Sequence, residues 1–360
     1  MRENREQSAL IAMSGGVDSS AAAYLTLAEG FRCQGATMRL LKADDGQNAA
    51  DAEAVCRQLG IPFTVLDLSA EFEEAVIRTF VRAYRAGETP NPCVDCNRRM
   101  KFSRLMEAAD AAGLYYVATG HYARVERDLG TGRRLLKKAL DAGKDQSYFL
   151  YTLSQRQLER VRFPLGGMEK RQVRELAERL GFVNARRRDS QDVCFIPGGD
   201  YGAFIESYTG EALPAGDFLD REGRAVGRHR GAARYTLGQR KGLGLSMGEP
   251  VYVCGKDMAA NTVTVGPESA LYAREALVED LNWISVEGLA APLRVGAKTR
   301  SRQGEQPAAI APESGNRVRV VFDCPQRAVT PGQAAVFYDG DSVVGGGTIT
   351  EVLKEDGHGL

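Results

Sequence analysis

At 360 residues, 43% of them hydrophobic and 26% charged, the chain is ordinary in composition for a globular protein and long enough for two or three domains. No apolar run approaches the ~20 residues of a membrane-spanning helix, and charged residues lead straight into the first apolar run, so the reading is a cytoplasmic protein with no membrane partner and no signal peptide. Seven cysteines, an odd number, argue for thiols over a disulfide framework, and 47 basic against 47 acidic residues speak against indiscriminate attraction to nucleic acid.

The first elements form a strand, a tight loop and a helix. Ala9–Met13 is apolar, Ser14-Gly15-Gly16-Val17-Asp18-Ser19-Ser20 is the loop, and an Ala-rich helix from Ala21 closes at Gly30. Two glycines allow close backbone approach to a ligand. The helix start aims unpaired N–H groups and its positive dipole end at the same spot, which is the chemistry of a phosphate site. The serine hydroxyls add donors, and Asp18 is a candidate magnesium ligand. No Gly-Lys-Ser/Thr follows, so the loop is not a Walker A.

Alternation continues with a strand at Gln34–Leu41, a helix at Ala49–Leu59 stopped by Gly60, a strand at Pro62–Leu68 and a helix at Ala70–Arg85. This rhythm predicts a doubly wound parallel sheet with its ligand at the carboxyl ends of the strands. Thr89–Asn97, with two prolines, reads as a rigid loop presenting Cys93 and Cys96 before a helix at Arg98–Ala112. A strand at Tyr115–Thr119 follows, then a hairpin through Arg133–Lys138. Helices are expected at Ser154–Arg160, opened by a Ser-x-x-Gln capping pattern, and at Glu169–Leu180. From about residue 213 short Val/Thr/Tyr-rich runs between glycines predict small sheet or barrel modules.

Charge is unevenly spread. Residues 121–241 carry 24 basic against 16 acidic side chains, a net of +8 between acidic flanks, which suits a directed polyanion site. Cys93 and Cys96 alone could be half of a zinc site, a redox pair, or one working thiol beside a bystander. Zinc is disfavoured because no second Cys-x-x-Cys exists and His121, His229 and His358 lack ligand spacing. Cys194 follows Arg186-Arg187-Arg188, whose charge is expected to favour its thiolate. Cys33, Cys56, Cys254 and Cys324 read as buried structural thiols.

The loop Ser14–Ser20 resembles the PP-loop of the N-type ATP pyrophosphatases. Seven further segments extend the likeness: Asn91-Pro92 with Cys96-Asn97, Thr119–Arg124, Lys144–Leu150, Ser190–Ile196, Tyr235–Gly244, Thr330–Gln333 and Gly345–Gly347. In this order they resemble the tRNA-specific 2-thiouridylases (MnmA/TrmU family). The resemblance implies an α/β fold: a doubly wound parallel sheet of the adenine nucleotide alpha hydrolase-like type at residues 1–205, a small β-rich tRNA-binding domain at 206–272 and a C-terminal β-barrel at 273–360.

It also implies an activity: ATP-dependent replacement of the C2 oxygen of tRNA wobble uridine (U34) by sulfur, with Mg2+ accompanying ATP. Cys194 becomes the persulfide carrier and Cys96 the nucleophile, leaving a Cys96–Cys194 disulfide for a reductant to open. The resemblance assigns ATP to Ala12, Met13, Ser14, Gly15, Gly16, Val17, Asp18, Ser19, Met38 and Gly120. It assigns tRNA to Asn91, Pro92, Cys93, His121, Lys144, Asp145, Gln146, Arg300, Ser301 and Gln333. Expected partners are wobble-uridine tRNAs (those for Glu, Gln and Lys) and a persulfide donor, a cysteine desulfurase or a relay protein, with the enzyme a monomer. Cys93 departs from the family, which often has Asp there, leaving Cys93 and Asp95 as alternatives for the acid/base group. The rival reading is a small-molecule ATP pyrophosphatase, which leaves the thiols unexplained.

Overall fold

The computed structural model describes residues 7–43, 45–187 and 193–353. Strands β1 (Ser8–Ala12), β2 (Arg32–Arg39), β3 (Phe63–Asp67) and β4 (Tyr116–Thr119) form a parallel sheet. After a hairpin of β5 (Arg124–Arg127) and β6 (Arg134–Lys137), the two-residue β7 (Val161–Arg162) completes the order β3-β2-β1-β4-β7. Side chains alternate between its faces. Ala9 and Ile11 pack with Ala23, Ala52 and Val55 of the helices Val17–Ala28 and Gln47–Leu59, whereas Leu10 packs with Phe102, Leu105 and Ala109 of the helix Phe102–Ala111. Both faces are covered, so the sheet is doubly wound, as the alternation predicted. β1 has β2 on one side and β4 on the other, which puts the switch in strand order, and the crevice it opens, directly above the Ser14–Ser20 loop.

One correction falls on the cysteine segment. The predicted loop is helical from Pro92: Pro92–Cys96 runs through a π-turn at Asn97–Lys101 into Phe102–Ala111. Asn91 caps it, its side-chain oxygen accepting the Val94 N–H at 3.4 Å, and Pro92 takes the first helical position, where a missing N–H costs nothing. The capping pattern at Ser154 is a reciprocal capping box with Gln157, as expected.

The β-rich remainder divides in two. A four-stranded sheet, order β10-β11-β8-β9, is built from β8 (Gly216–Leu219), β9 (Ala225–His229), β10 (Tyr252–Asp257) and β11 (Thr262–Gly266) around Phe218, Tyr235, Val253 and Val263. Then β12 (Tyr272–Trp283), β13 (Leu293–Lys298), β14 (Gln306–Glu313), β15 (Arg317–Arg327), β16 (Ala334–Asp339) and β17 (Ser342–Leu353) run in the order β12-β15-β14-β13-β16-β17. β12 also pairs with β17, closing a barrel.

The barrel docks on the first domain through the glycine run of β17. A Cβ at Gly346 would lie 2.6 Å from the Ala335 carbonyl and 2.8 Å from the Tyr151 ring, so only glycine lets that ring lie against the strand. Asn282 donates to the Tyr151 and Leu153 carbonyls at 2.6 and 3.0 Å, and the Tyr148 hydroxyl donates to Ala334 at 2.9 Å. Among the described residues no helix is long and apolar enough to cross a membrane.

Candidate active site

The loop after β1 keeps open backbone space at its glycines. Gly15 adopts φ +71°, and a Cβ there would meet the Asn48 carbonyl at 2.5 Å. Gly16 caps the helix Val17–Ala28 without a side-chain hydrogen bond, leaving the first N–H groups for a ligand. The Ser19 hydroxyl accepts the Ser14 N–H at 3.1 Å and the Ser14 hydroxyl at 3.2 Å, and donates to the Gly16 carbonyl at 2.9 Å. Gly120, at the end of β4, lies so near that a Cβ would stand 2.8 Å from Asp18 C and Ser19 N. Ala12 ends β1 and Met13 follows it, and Met38 lies near the end of β2, so the expected nucleotide residues converge on one edge of the sheet.

Several residues that complete this edge escaped sequence reasoning. Asn184, buried, donates to the Gly15 carbonyl at 2.8 Å and to Ser20 Oγ at 2.9 Å. Lys170, also buried, holds both oxygens of Asp18 at 2.6 and 2.8 Å, and the Tyr122 hydroxyl donates to the same carboxylate at 2.8 Å. The carboxylate expected to hold magnesium is therefore committed to an ammonium. No local pattern marks Lys170, which lies 152 residues away in sequence.

The thiols form a second group. Cys93 and Cys194 are exposed residues and Cys96 is buried in the apolar cluster that holds Phe195 and Ile196, the immediate neighbours of Cys194. Cys93 raises the pKa of Cys96 and of Cys194, Cys96 raises that of Cys194, and the Lys101 ammonium acts on all three and on His121. Crowding of the Cys194 sulfur by protein, then the neighbouring Cys93 and Cys96, push its pKa up to about 11, with Lys101 opposing.

That corrects the expected role of the arginine run. Arg187 binds Asp51 at 2.8 Å and reaches the Gly15 carbonyl at 3.4 Å, and Arg186 stands 4.0 Å from Glu178, so both serve elsewhere. Arg188 and the expected motif residues Ser190, Gln191 and Asp192 lie outside the described residues. Of the thiols expected to be buried, Cys33 and Cys56 are, Cys254 is half-buried and Cys324 is exposed.

The expected tRNA residues divide. Asn91 and Pro92 start the cysteine helix, and Gln333 reaches across from the barrel to donate to the Thr89 carbonyl at 2.6 Å, with Thr89 N–H donating to Pro331 at 3.1 Å. The barrel thus braces the entry to the cysteine helix. Arg300 stands behind this contact, donating to Ala328 O at 2.9 Å and Thr330 Oγ1 at 3.2 Å, and Ser301 is half-buried beside it. A cavity of about 370 Å³ lies next to Asn91, lined by Arg82, Asp95, Arg98 and Asp280. Asp95 faces it and pairs with Arg99 at 3.6 Å.

His121 is hydrogen-bonded to Thr119 at 2.7 Å and packed on Phe102 and Phe163; burial and Lys101 push its pKa down to about 3, so it is neutral. Asp145 and Gln146 are occupied in shaping their own segment. Asp145 accepts from Ala139 N and the Ser147 hydroxyl at 3.0 and 2.8 Å, and Gln146 accepts from Tyr122 N at 2.9 Å; Lys144 is half-buried beside them. Much of the central positive charge is also paired internally: Arg160 with Asp110, Arg162 with Glu29, Arg234 with Glu206.

A parallel sheet with a glycine loop at its switch point, followed by two β-built domains, places the chain in the class of HUP-domain enzymes. Family profiles divide the chain likewise: "tRNA methyl transferase HUP domain" over residues 7–198, "tRNA methyl transferase PRC-barrel domain" over 202–267 and "Aminomethyltransferase beta-barrel domain" over 273–349. The chain is 47% identical to the tRNA-specific 2-thiouridylase MnmA of Heliobacterium modesticaldum, across 97% of this chain and 94% of that one. With the protein of the same name from Acetivibrio thermocellus it shares 46% identity, across 94% and 98%, and with that of Clostridioides difficile 43%, across 96% and 98%. The chain belongs to the family of tRNA-specific 2-thiouridylases.

Proposed function

We propose that the protein catalyses the ATP-dependent 2-thiolation of the wobble uridine, U34, of tRNA, yielding 2-thiouridine, AMP and pyrophosphate. The observation that carries this reading is the packing of Cys96, one helical turn from Cys93, with Phe195 and Ile196, the residues that follow Cys194. A methyl transfer would give this thiol cluster nothing to do. The relatives' name, by contrast, calls for sulfur, and a uracil oxygen leaves only once activated.

The residues fit ATP. Gly15, Gly16 and Gly120 clear backbone space, and the uncapped helix start with the Ser14 and Ser19 hydroxyls supplies donors for the phosphates. Magnesium bound to the triphosphate would neutralise its charge, and Asp18, the candidate ligand, is held by Lys170 and Tyr122. The uracil C2 oxygen attacks the α-phosphorus, and the adenylate so formed leaves as AMP. The base enters flipped from the stack, beside Asn91, Pro92 and Cys93.

Cys194, loaded with a persulfide by a cysteine desulfurase or relay protein, passes its outer sulfur to C2. Cys96 attacks the inner sulfur, so the two thiols become a disulfide as the sulfur is reduced. A persulfide ionises more readily than a thiol, so a Cys194 thiol held protonated near pH 7 is compatible with an active carrier. His121, Lys144, Asp145, Gln146, Arg300, Ser301 and Gln333 take the tRNA side, with Asp145, Gln146 and Gln333 acting by fixing the backbone they hold.

Pyrophosphate release with and without tRNA tests the reading. Strong stimulation by tRNA carrying U34 is expected, whereas tRNA-independent turnover with a small acid or amide would overturn it.

A further inference from the structure

Cys93 lies beside the entering base, and no sulfur-transfer step is assigned to its thiol. It lies three residues before Cys96 on one continuous helix, so the two side chains project from the same face. Cys96 is 7% exposed, enclosed with Met100, Phe195 and Ile196, whereas Cys93 and Cys194 are both exposed. Of its two thiol neighbours, Cys93 exerts the stronger influence on Cys194. A disulfide between Cys96 and Cys194 would tie a surface residue to a buried one, with Cys93 one helical turn from Cys96 on the same face.

We propose that Cys93 is a resolving thiol: it moves the disulfide formed in each turnover from the buried Cys96–Cys194 pair to the exposed Cys93–Cys194 pair, where a thiol reductant opens it. This rests on the sulfur-transfer reading above. In the exchange, the Cys93 thiolate attacks the Cys194 sulfur, a Cys93–Cys194 bond forms, and the Cys96–Cys194 bond breaks. Cys96 leaves as a thiolate and takes up the proton Cys93 released, with no net change in oxidation state. Two thiols from a monothiol or dithiol reductant then become a disulfide and return Cys93 and Cys194 to thiols. A thiol fixed beside the bond outruns one that must arrive from solution, because its encounter is intramolecular. The Lys101 ammonium, which acts on all three sulfurs, favours whichever is the thiolate at each stage. Cys93 therefore has a redox use.

The test uses the full chain and the exposed-site variant Cys93→Ser. Each is oxidised with one equivalent of diamide, quenched in acid, alkylated and mapped by mass spectrometry after cleavage before Asp95, which separates Cys93 from Cys96. The same map is made after one turnover of persulfide-loaded enzyme with ATP and tRNA. The expected result is a Cys93–Cys194 link in the wild type and a Cys96–Cys194 link in Cys93→Ser, the latter reopened by glutathione at least about tenfold more slowly. A wild type holding only Cys96–Cys194, reopened at the same rate in both proteins, overturns the resolving role and leaves the sulfur-transfer reading standing. No link to Cys194 in either protein overturns both.

Discussion

Replacing Lys170 with methionine tests whether a buried ammonium holds the phosphate loop. The Lys170 side chain is 10% exposed and that of Asp18 31%, and their contacts at 2.6 and 2.8 Å join a distant helix to the loop's first turn. Methionine keeps most of the apolar stem and removes the charge, leaving the Asp18 carboxylate with the Tyr122 hydroxyl alone. Breaking a fully buried pair costs ~3–5 kcal/mol. Discounted for the exposure of Asp18 and the surviving hydrogen bond, the expected loss is about 2–3 kcal/mol, a fall of roughly 5–10 °C in melting temperature. The uncompensated carboxylate beside the phosphates also weakens ATP binding, by about tenfold or more. Thermal unfolding and isothermal titration with ATP are the assays. Adding Asp18→Asn to Lys170→Met recovers most of the lost stability, because the stranded charge is removed with its partner. Unchanged melting in Lys170→Met, or no recovery in the double variant, refutes the reasoning.

Other consequences are equally measurable. Gly120→Ala puts a methyl 2.8 Å from backbone atoms of Asp18 and Ser19, so ATP affinity falls at least about tenfold while the far barrel keeps its fold by near-UV circular dichroism. The pKa of His121, depressed to about 3 from 6.5, means the unfolded chain binds a proton the folded one refuses; stability is complete above pH 6.5 and falls as pH drops below it. His121→Asn flattens that slope in urea unfolding, and an unchanged slope contradicts the assignment. Because the Cys194 pKa is pushed up to about 11, its alkylation by iodoacetamide at pH 7 is slow and accelerates into the alkaline range, and Lys101→Met slows it further. Gly346→Val drives a side chain into the Tyr151 ring and the Ala335 carbonyl, so limited proteolysis should release the barrel from the first domain.

How much of this was legible in sequence depends on how local each interaction is. The phosphate loop needs only seven consecutive residues to announce itself, and its strand and helix flank it directly. The helix start at Asn91-Pro92 was equally local, yet two prolines read as a loop, although an Asn cap followed by a first-turn Pro is a helix signal. Lys170, Asn184 and Arg187 reach the loop only through the tertiary fold, from more than 150 positions away. For the same reason the arginine run misleads: a neighbour of Cys194 in sequence is not its neighbour in space, since Arg187 turns to Asp51. The long barrel strand β12 hid for another reason, since it mixes exposed and buried positions without clean alternation and bends through register shifts against β15 and β17. Glycines at 345–347 extend the resemblance, and their work here is to let a tyrosine ring and two strands close on one another.

The most direct test of the central claim is mass spectrometry of tRNA nucleosides after the protein is incubated with ATP, magnesium, a persulfide source and tRNA carrying U34. The account predicts 2-thiouridine at position 34 in the presence of ATP alone among nucleotides, abolished by Cys194→Ser and by Cys96→Ser. Unmodified uridine in the complete mixture, or 2-thiouridine formed equally well by Cys194→Ser, would contradict it.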